Sequence, residues 1–278
     1  MLNGCPQVMC PPENPDYDAL VVAQAFAPVP SLNLGMIYRP LDWLKVGLAF
    51  QLPFLVRSAY GTVDTRLPVS ELFNGASVEG RRASLSVNLP PILRLGTELT
   101  TWQQRLRIEL AYTAEFWSVQ DRLVVTPQDV SLVNVKGFDT YKLGTVAIER
   151  QLQTTHALHL GFEATLWKYV GARLGGMFES GAMPDATFTI LSPDSRKGMI
   201  AVGAFFPGVK FASAEWRFDL GYARVIQPDR VIAREDSQLA PQNPIRPDIG
   251  TGPGQGGIGG GRYQVSYDVF TLGLSVTR

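Results

Sequence analysis

Trp43-Leu44-Lys45-Val46-Gly47-Leu48-Ala49-Phe50-Gln51-Leu52 switches between a large apolar side chain and a small or polar one at each step after its tryptophan. A period of two is the signature of a strand, because successive side chains point to opposite faces. Leu44, Val46, Leu48, Phe50, Leu52 and Phe54 share one face; Lys45, Gly47, Ala49 and Gln51 share the other. The same two-faced reading holds from Arg105 to Trp117, where Leu106, Ile108, Leu110, Tyr112 and Phe116 oppose Arg105, Arg107, Glu109, Thr113 and Glu115. It holds again for Trp216, Phe218, Leu220 and Tyr222 against Arg217, Asp219 and Gly221, and for Phe270, Leu272, Leu274 and Val276 against Thr271, Gly273, Ser275 and Thr277.

Nine such segments are expected, at roughly 18–39, 44–66, 77–99, 104–126, 153–167, 170–180, 197–206, 214–226 and 262–276. Tight turns fall near 40–43, 100–103, 167–169 and 207–213, and long links near 67–76, 127–152, 181–196 and 227–261. Short turns at one end and long loops at the other are the plan of an outer-membrane β-barrel. Four of the five tryptophans (Trp43, Trp102, Trp167 and Trp216) stand at or beside the tight turns, where an indole ring settles at headgroup level. The fold class expected is all-β, an antiparallel transmembrane β-barrel with about nine strands present. Several segments exceed the ~9–11 residues that cross a bilayer, so the wall should project beyond the outer surface.

The totals agree. Basic and acidic residues balance at 25 each in 278 residues, which leaves no basic footprint for nucleic acid. With 27 Gly and 20 Pro, turns are favoured over long helices. A mean hydropathy of +0.04 is too low for a helical membrane protein and ordinary for a barrel. Residues 19–38 carry no charge, but Pro28 and Pro30 exclude a spanning helix there. Charged residues in the alternating cores lie on the polar face, as a wall facing lipid demands: a mid-depth Lys or Arg on the lipid side costs ~2–4 kcal/mol. Lys45, Arg94, Glu98, Arg105, Arg107, Glu109, Glu115, Glu163, Arg173, Glu179, Arg217 and Asp219 are therefore placed in the lumen, with cross-strand ion pairs as the simplest role for their mixed signs.

Signs of other chemistry are weak. Gly252–Gly257 fits a dinucleotide fingerprint only on paper, because it lies in a long link and not between a strand and a helix. His156 and His159 are three residues apart in one strand and point to opposite faces, so a shared metal is not expected. No nucleophile elbow is present. The reading is of a protein that is not an enzyme and has no cofactor and no metal site. Cys5 and Cys10, the only cysteines, suit a small disulfide loop in an oxidising compartment. Pro28, Pro30, Pro53, Pro90 and Pro91 interrupt three consecutive segments and mark either bends or a weakened seam.

The chain resembles the FadL/TodX family of outer-membrane transporters for long-chain fatty acids and aromatic hydrocarbons. The resemblance is carried by Ser31 to Phe50, by Asn88-Leu89-Pro90-Pro91, by Pro184 to Phe188 followed by Leu191 to Arg196, and by Tyr267 to Ser275. It implies that these nine strands are the C-terminal portion of a 14-stranded barrel, with residues 1–17 the remnant of an extracellular loop and 18–278 one incomplete barrel domain. A missing N-terminal half would supply a plug and the remaining strands, so a fragment, a mis-started frame or half of a split barrel is expected; Met1 to Cys5 shows no secretory signal. The function implied is passive uptake of hydrophobic small molecules in the Gram-negative outer membrane, with membrane lipid and the ligand as partners. Arg94, Arg105, Arg107, Arg173 and Arg217 are candidates to meet a carboxylate. Apolar residues of the long links (Leu132, Val133, Val135, Phe138, Phe188, Ile190 and Leu191) are candidates for capture from outside. The alternative is a general porin or structural barrel without hydrophobic specificity.

Overall fold

A computed structural model describes residues 20–53, 56–67, 69, 71–136, 138–168, 170–189, 193–211, 213–238 and 259–277. Cys5, Cys10 and the 252–257 glycines lie outside these residues. Seventeen strands follow in order: β1 Leu20–Phe26, β2 Ser31–Leu41, β3 Leu44–Pro53, β4 Val56–Arg66, β5 Ser77–Glu79, β6 Arg82–Val87, β7 Ile92–Thr101, β8 Leu106–Glu115 and β9 Arg122–Pro127. Then come β10 Ser131–Val135, β11 Phe138–Lys142, β12 Val146–Glu149, β13 Thr155–Trp167, β14 Val170–Glu179, β15 Lys197–Phe211, β16 Ala214–Ile232 and β17 Gly261–Thr277. Among the described residues no helix is long and apolar enough to cross a membrane.

Nine strands form one antiparallel sheet in the order β17-β16-β15-β14-β13-β8-β7-β3-β2. These are the nine segments read from the alternation, joined in sequence order by pairwise neighbours. Two residues separate β2 from β3, β13 from β14 and β15 from β16. The β7–β8 turn is closed by the Arg105 N–H donating to the Trp102 carbonyl at 3.0 Å. All four turns lie at one end, and Trp43, Trp102 and Trp167 stand exposed there. The β7–β8 turn holds Trp102, Gln103 and Gln104 at positive φ (51°, 54° and 66°), a left-handed path that side chains adopt at a cost.

The expected segments 18–39, 44–66 and 104–126 are each divided in two, and 77–99 in three. Five strands form a second sheet, β1-β4-β6-β9-β12, whose order repeats that of β2-β3-β7-β8-β13. Each of its members continues the corresponding strand of the first sheet past a break. Pro28 and Pro30 separate β1 from β2, Pro53 ends β3 before β4, and Pro90 and Pro91 separate β6 from β7. Proline has no N–H to give to a ladder, so strands stop where it falls. On the turn side of the break β2, β3, β7 and β8 are 11, 10, 10 and 10 residues long, the length that crosses a bilayer at a tilt. Their ladders run up to the break, as in Ser31–Pro53 and Gln51–Ile92, and the register shift in β2–β3 lies at the turn end, between Tyr38 and Leu41. The prolines thus terminate a membrane-length wall and open no gap within it.

Beyond the break the chain seals itself with side chains. The Asn88 backbone N–H donates to Gln120 Oε1 at 2.6 Å, and Gln120 Nε2 donates to the Arg122 carbonyl at 2.8 Å. A third small sheet, β11-β10-β5, packs Leu132 and Val135 with Val130 and Leu143. Alternation did not show β5, β10, β11 or β12 as separate strands, because they are 3–5 residues long. The turn expected at 207–213 is shorter: β15 runs to Phe211, and Pro207 is absorbed by a bulge between Phe206 and Val209.

Candidate functional site

The wall is inside-out. On one face lie rows of large apolar side chains that none of the described residues covers: Leu48, Leu95, Leu110, Leu158, Leu174, Val202 and Leu220 are all exposed, and Leu272 is 82% exposed. Exposed apolar rows of this extent mark contact with another apolar phase. The register places them side by side, as in Phe162–Leu174, Leu174–Val202, Val202–Tyr222 and Tyr222–Phe270. The opposite face carries the ionic groups.

Those groups form a chain of contacts along the inner face. Lys45 Nζ lies 2.6 Å from Glu98. Arg107 stands between Glu98 (3.9 Å), Glu109 (3.2 Å) and Glu163 (3.5 Å). Arg173 donates to Glu163 and to Asp219, both at 2.6 Å, and Arg217 lies 3.2 Å from Asp219. Lys45 with Glu98, Arg107 with Glu163 and Glu163 with Arg173 are direct cross-strand neighbours. Glu98 and Glu109 also face each other directly, and Arg107 offsets that like-charge pair. Arg173 reaches two strands away because Gly203, its partner on β15, leaves the path open. Phe205 closes this end. It is 3% exposed although it lies on the ionic face, with the guanidinium carbons of Arg173 and Arg217 at 4.7 and 4.9 Å from its ring centre, within cation–π range.

The five arginines read from the sequence divide into two groups. Arg107, Arg173 and Arg217 are brought together in the ionic chain. Arg94 and Arg105 are exposed and stand apart from it. Arg94 donates only to Gln51 Oε1, at 3.4 Å, and neither has a carboxylate partner among the described residues. Phe205 was missed because Phe205 and Phe206 are consecutive, and alternation alone does not decide which of two adjacent aromatics turns inward. The signal that would have found it is the run of small inward residues on neighbouring strands, where one large ring fits.

The long links build a second hydrophobic centre at the loop end. Phe188 is 1% exposed and packs with Met183, Ile232, Leu152 and Tyr263, while Arg230 stacks on its ring at 4.3 Å and bonds Asp185. Phe188, Leu132 and Val135 are thus core residues of the loop structure in this conformation and do not present their faces to solvent. Phe138 opens β11; Ile190 and Leu191 lie outside the described residues. One loop carboxyl is tied down: Asp129 accepts from the Arg82 guanidinium and its backbone N–H, at 2.8 and 2.7 Å, and these bonds hold its carboxyl below the ordinary value. On β16, Asp229 pairs with Arg262 and accepts from Gln264 Nε2 at 2.7 Å. Among the described residues no group of three or more His, Cys, Asp or Glu could hold a metal ion.

Residues 3–259 match the model of a family described as outer membrane protein transport protein (OMPP1/FadL/TodX). The chain belongs to the FadL/TodX family. A solved structure described as that of a Pseudomonas aeruginosa FadL homologue matches with a TM-score of 0.65 at 17% identity, over 89% of this chain and 52% of that one. That likeness concerns the fold, and the present chain spans about half the length of the FadL homologue. None of the curated proteins matches the chain. The family is one of outer-membrane transport proteins, and the uncovered apolar rows suit the lipid-facing side of such a wall.

Proposed function

We propose that this sheet forms part of a lumen through which a hydrophobic small molecule, such as a long-chain fatty acid or an aromatic hydrocarbon, passes passively across the outer membrane of a Gram-negative cell. The observation that carries the reading is the opposition of faces: uncovered apolar rows outside, a self-neutralised ionic chain inside. Arg173 and Arg217 donate to carboxylates of the wall and Arg107 forms ion pairs with them, so these three stiffen it. Arg94 and Arg105 keep free donors and are the groups that would meet a ligand carboxylate. The extracellular links, with Phe138, Ile190 and Leu191, form the region where a ligand would first partition, packed over the buried Phe188.

The test is uptake by cells that lack their own hydrophobic-substrate channel and express the full gene. Labelled oleate and toluene should enter faster than in empty cells, while a small hydrophilic sugar should not. Equal stimulation of sugar entry would make the protein a general porin, and stimulation of neither would reject transport.

A further inference from the structure

We propose that His159, Met177 and Met199 form a binding site for a soft monovalent cation, Cu(I), on the lumen face of the wall. The three residues occupy one row. His159 on β13 is the direct cross-strand partner of Met177 on β14, and Met177 is the direct partner of Met199 on β15. All three share the face of Glu163, Arg173 and Phe205, since they lie at even spacing from those residues along their strands. Direct neighbours across an antiparallel pair have Cβ atoms about 4.5–5.5 Å apart. A methionine side chain with three rotatable bonds can therefore bring its sulfur to the same point as its neighbour's.

Three further observations point to a ligand. His159 has no hydrogen bond and no ion pair among the described residues. His156, on the opposite face, has its Nδ1 2.6 Å from the Tyr112 hydroxyl and its backbone bonded to Ser180. The row below is Gly161, Gly175 and Ala201, which leaves the space beside the imidazole and thioethers unfilled. The row above carries Glu179 and Lys197, which neutralise each other at 2.8 Å. The donor set is thus one imidazole and two thioethers with no net charge. Neutral soft donors of this kind select Cu(I) over hard cations, which require oxygen ligands. The site is independent of the hydrophobic passage proposed above.

The test uses the full 278-residue chain in detergent micelles, carrying Cys5→Ser and Cys10→Ser so that no thiol competes for the metal. Cu(I) is titrated under reducing, oxygen-free conditions against a coloured Cu(I) chelator. One equivalent should be withheld from the chelator, and Met177→Leu, Met199→Leu and His159→Ala should each weaken retention roughly tenfold or more, whereas His156→Ala should leave it unchanged. Methionine-to-leucine changes conserve volume, and circular dichroism checks that the strands persist. A second measurement needs no site variant: with methyl-labelled methionine, Ag(I) should shift the Met177 and Met199 methyl signals and leave that of lipid-facing Met36 in place. Failure of the parent protein to withhold Cu(I), retention that survives the double Met177→Leu/Met199→Leu change, or silent Met177 and Met199 signals would each overturn the site.

Discussion

Phe205 lies directly over Gly171 across the β14–β15 ladder: a Cβ built on Gly171 would stand 2.0 Å from the ring carbon Cζ. The ring fills the space a side chain would occupy, and Arg173 and Arg217 cover its other contacts. An aromatic over a strand glycine restores packing that the glycine by itself lacks.

Gly171→Ala should therefore expel the ring and part the two arginines from it, a cost of about 1–3 kcal/mol for an overpacked site. Denaturant unfolding in micelles, followed by tryptophan fluorescence, measures it. The double change Gly171→Ala/Phe205→Ala should be much less costly than the sum of the two single changes. Additive effects would mean that the two residues do not share one space.

Leu110 and Ala111 are adjacent in β8 and face opposite sides. Leu110→Lys places an ammonium among the lipid-facing rows and should cost ~2–4 kcal/mol. Ala111→Lys points into the lumen and should change stability by less than about 1 kcal/mol. Folding yield into vesicles, compared for the two proteins, checks the sidedness of the wall; equal loss would contradict it.

Gln120 is 5% exposed and replaces the ladder where β8 and β9 part. Gln120→Leu leaves the Asn88 N–H and the Arg122 carbonyl without this partner, at about 1–3 kcal/mol each if they stay dry. Amide exchange at Asn88 should accelerate, while exchange in the ladder between Leu93 and Leu110 should not.

Asp129 predicts the behaviour in acid of the β-structure beyond the break. Its folded carboxyl titrates below the unfolded one, so its bonds to Arg82 stabilise the fold at neutral pH. That contribution begins to fade as the pH drops below about 3.9, the ordinary Asp value, and is gone once the pH has fallen through the lower folded value. Protease cleavage between residues 128 and 143 should rise in that window. Asp129→Asn should be cleaved more readily at neutral pH and should lose this component of the acid response; an unchanged acid response in Asp129→Asn would assign it to other groups.

Much of the wall was legible in the chain because a strand's period is local. Val46, Leu48 and Phe50 against Lys45, Gly47 and Ala49 needed no neighbour to be sorted into two faces, and the tryptophans beside turns marked one rim. The breaks at Pro53 and Pro90-Pro91 were visible as prolines, but not as a common line, since that depends on how the strands are staggered.

The sequence by itself determined nine two-faced strands, their order, the sidedness of their charges and the rim of indoles, because alternation and turn residues act within a few positions. The tertiary structure alone decided which charges meet. Arg173 bonds Asp219, 46 residues on, only because register sets Gly203 between them. His159 joins Met177 and Met199 only through the same register. Contacts made across strands follow from the stagger of the sheet, and no local pattern records that stagger.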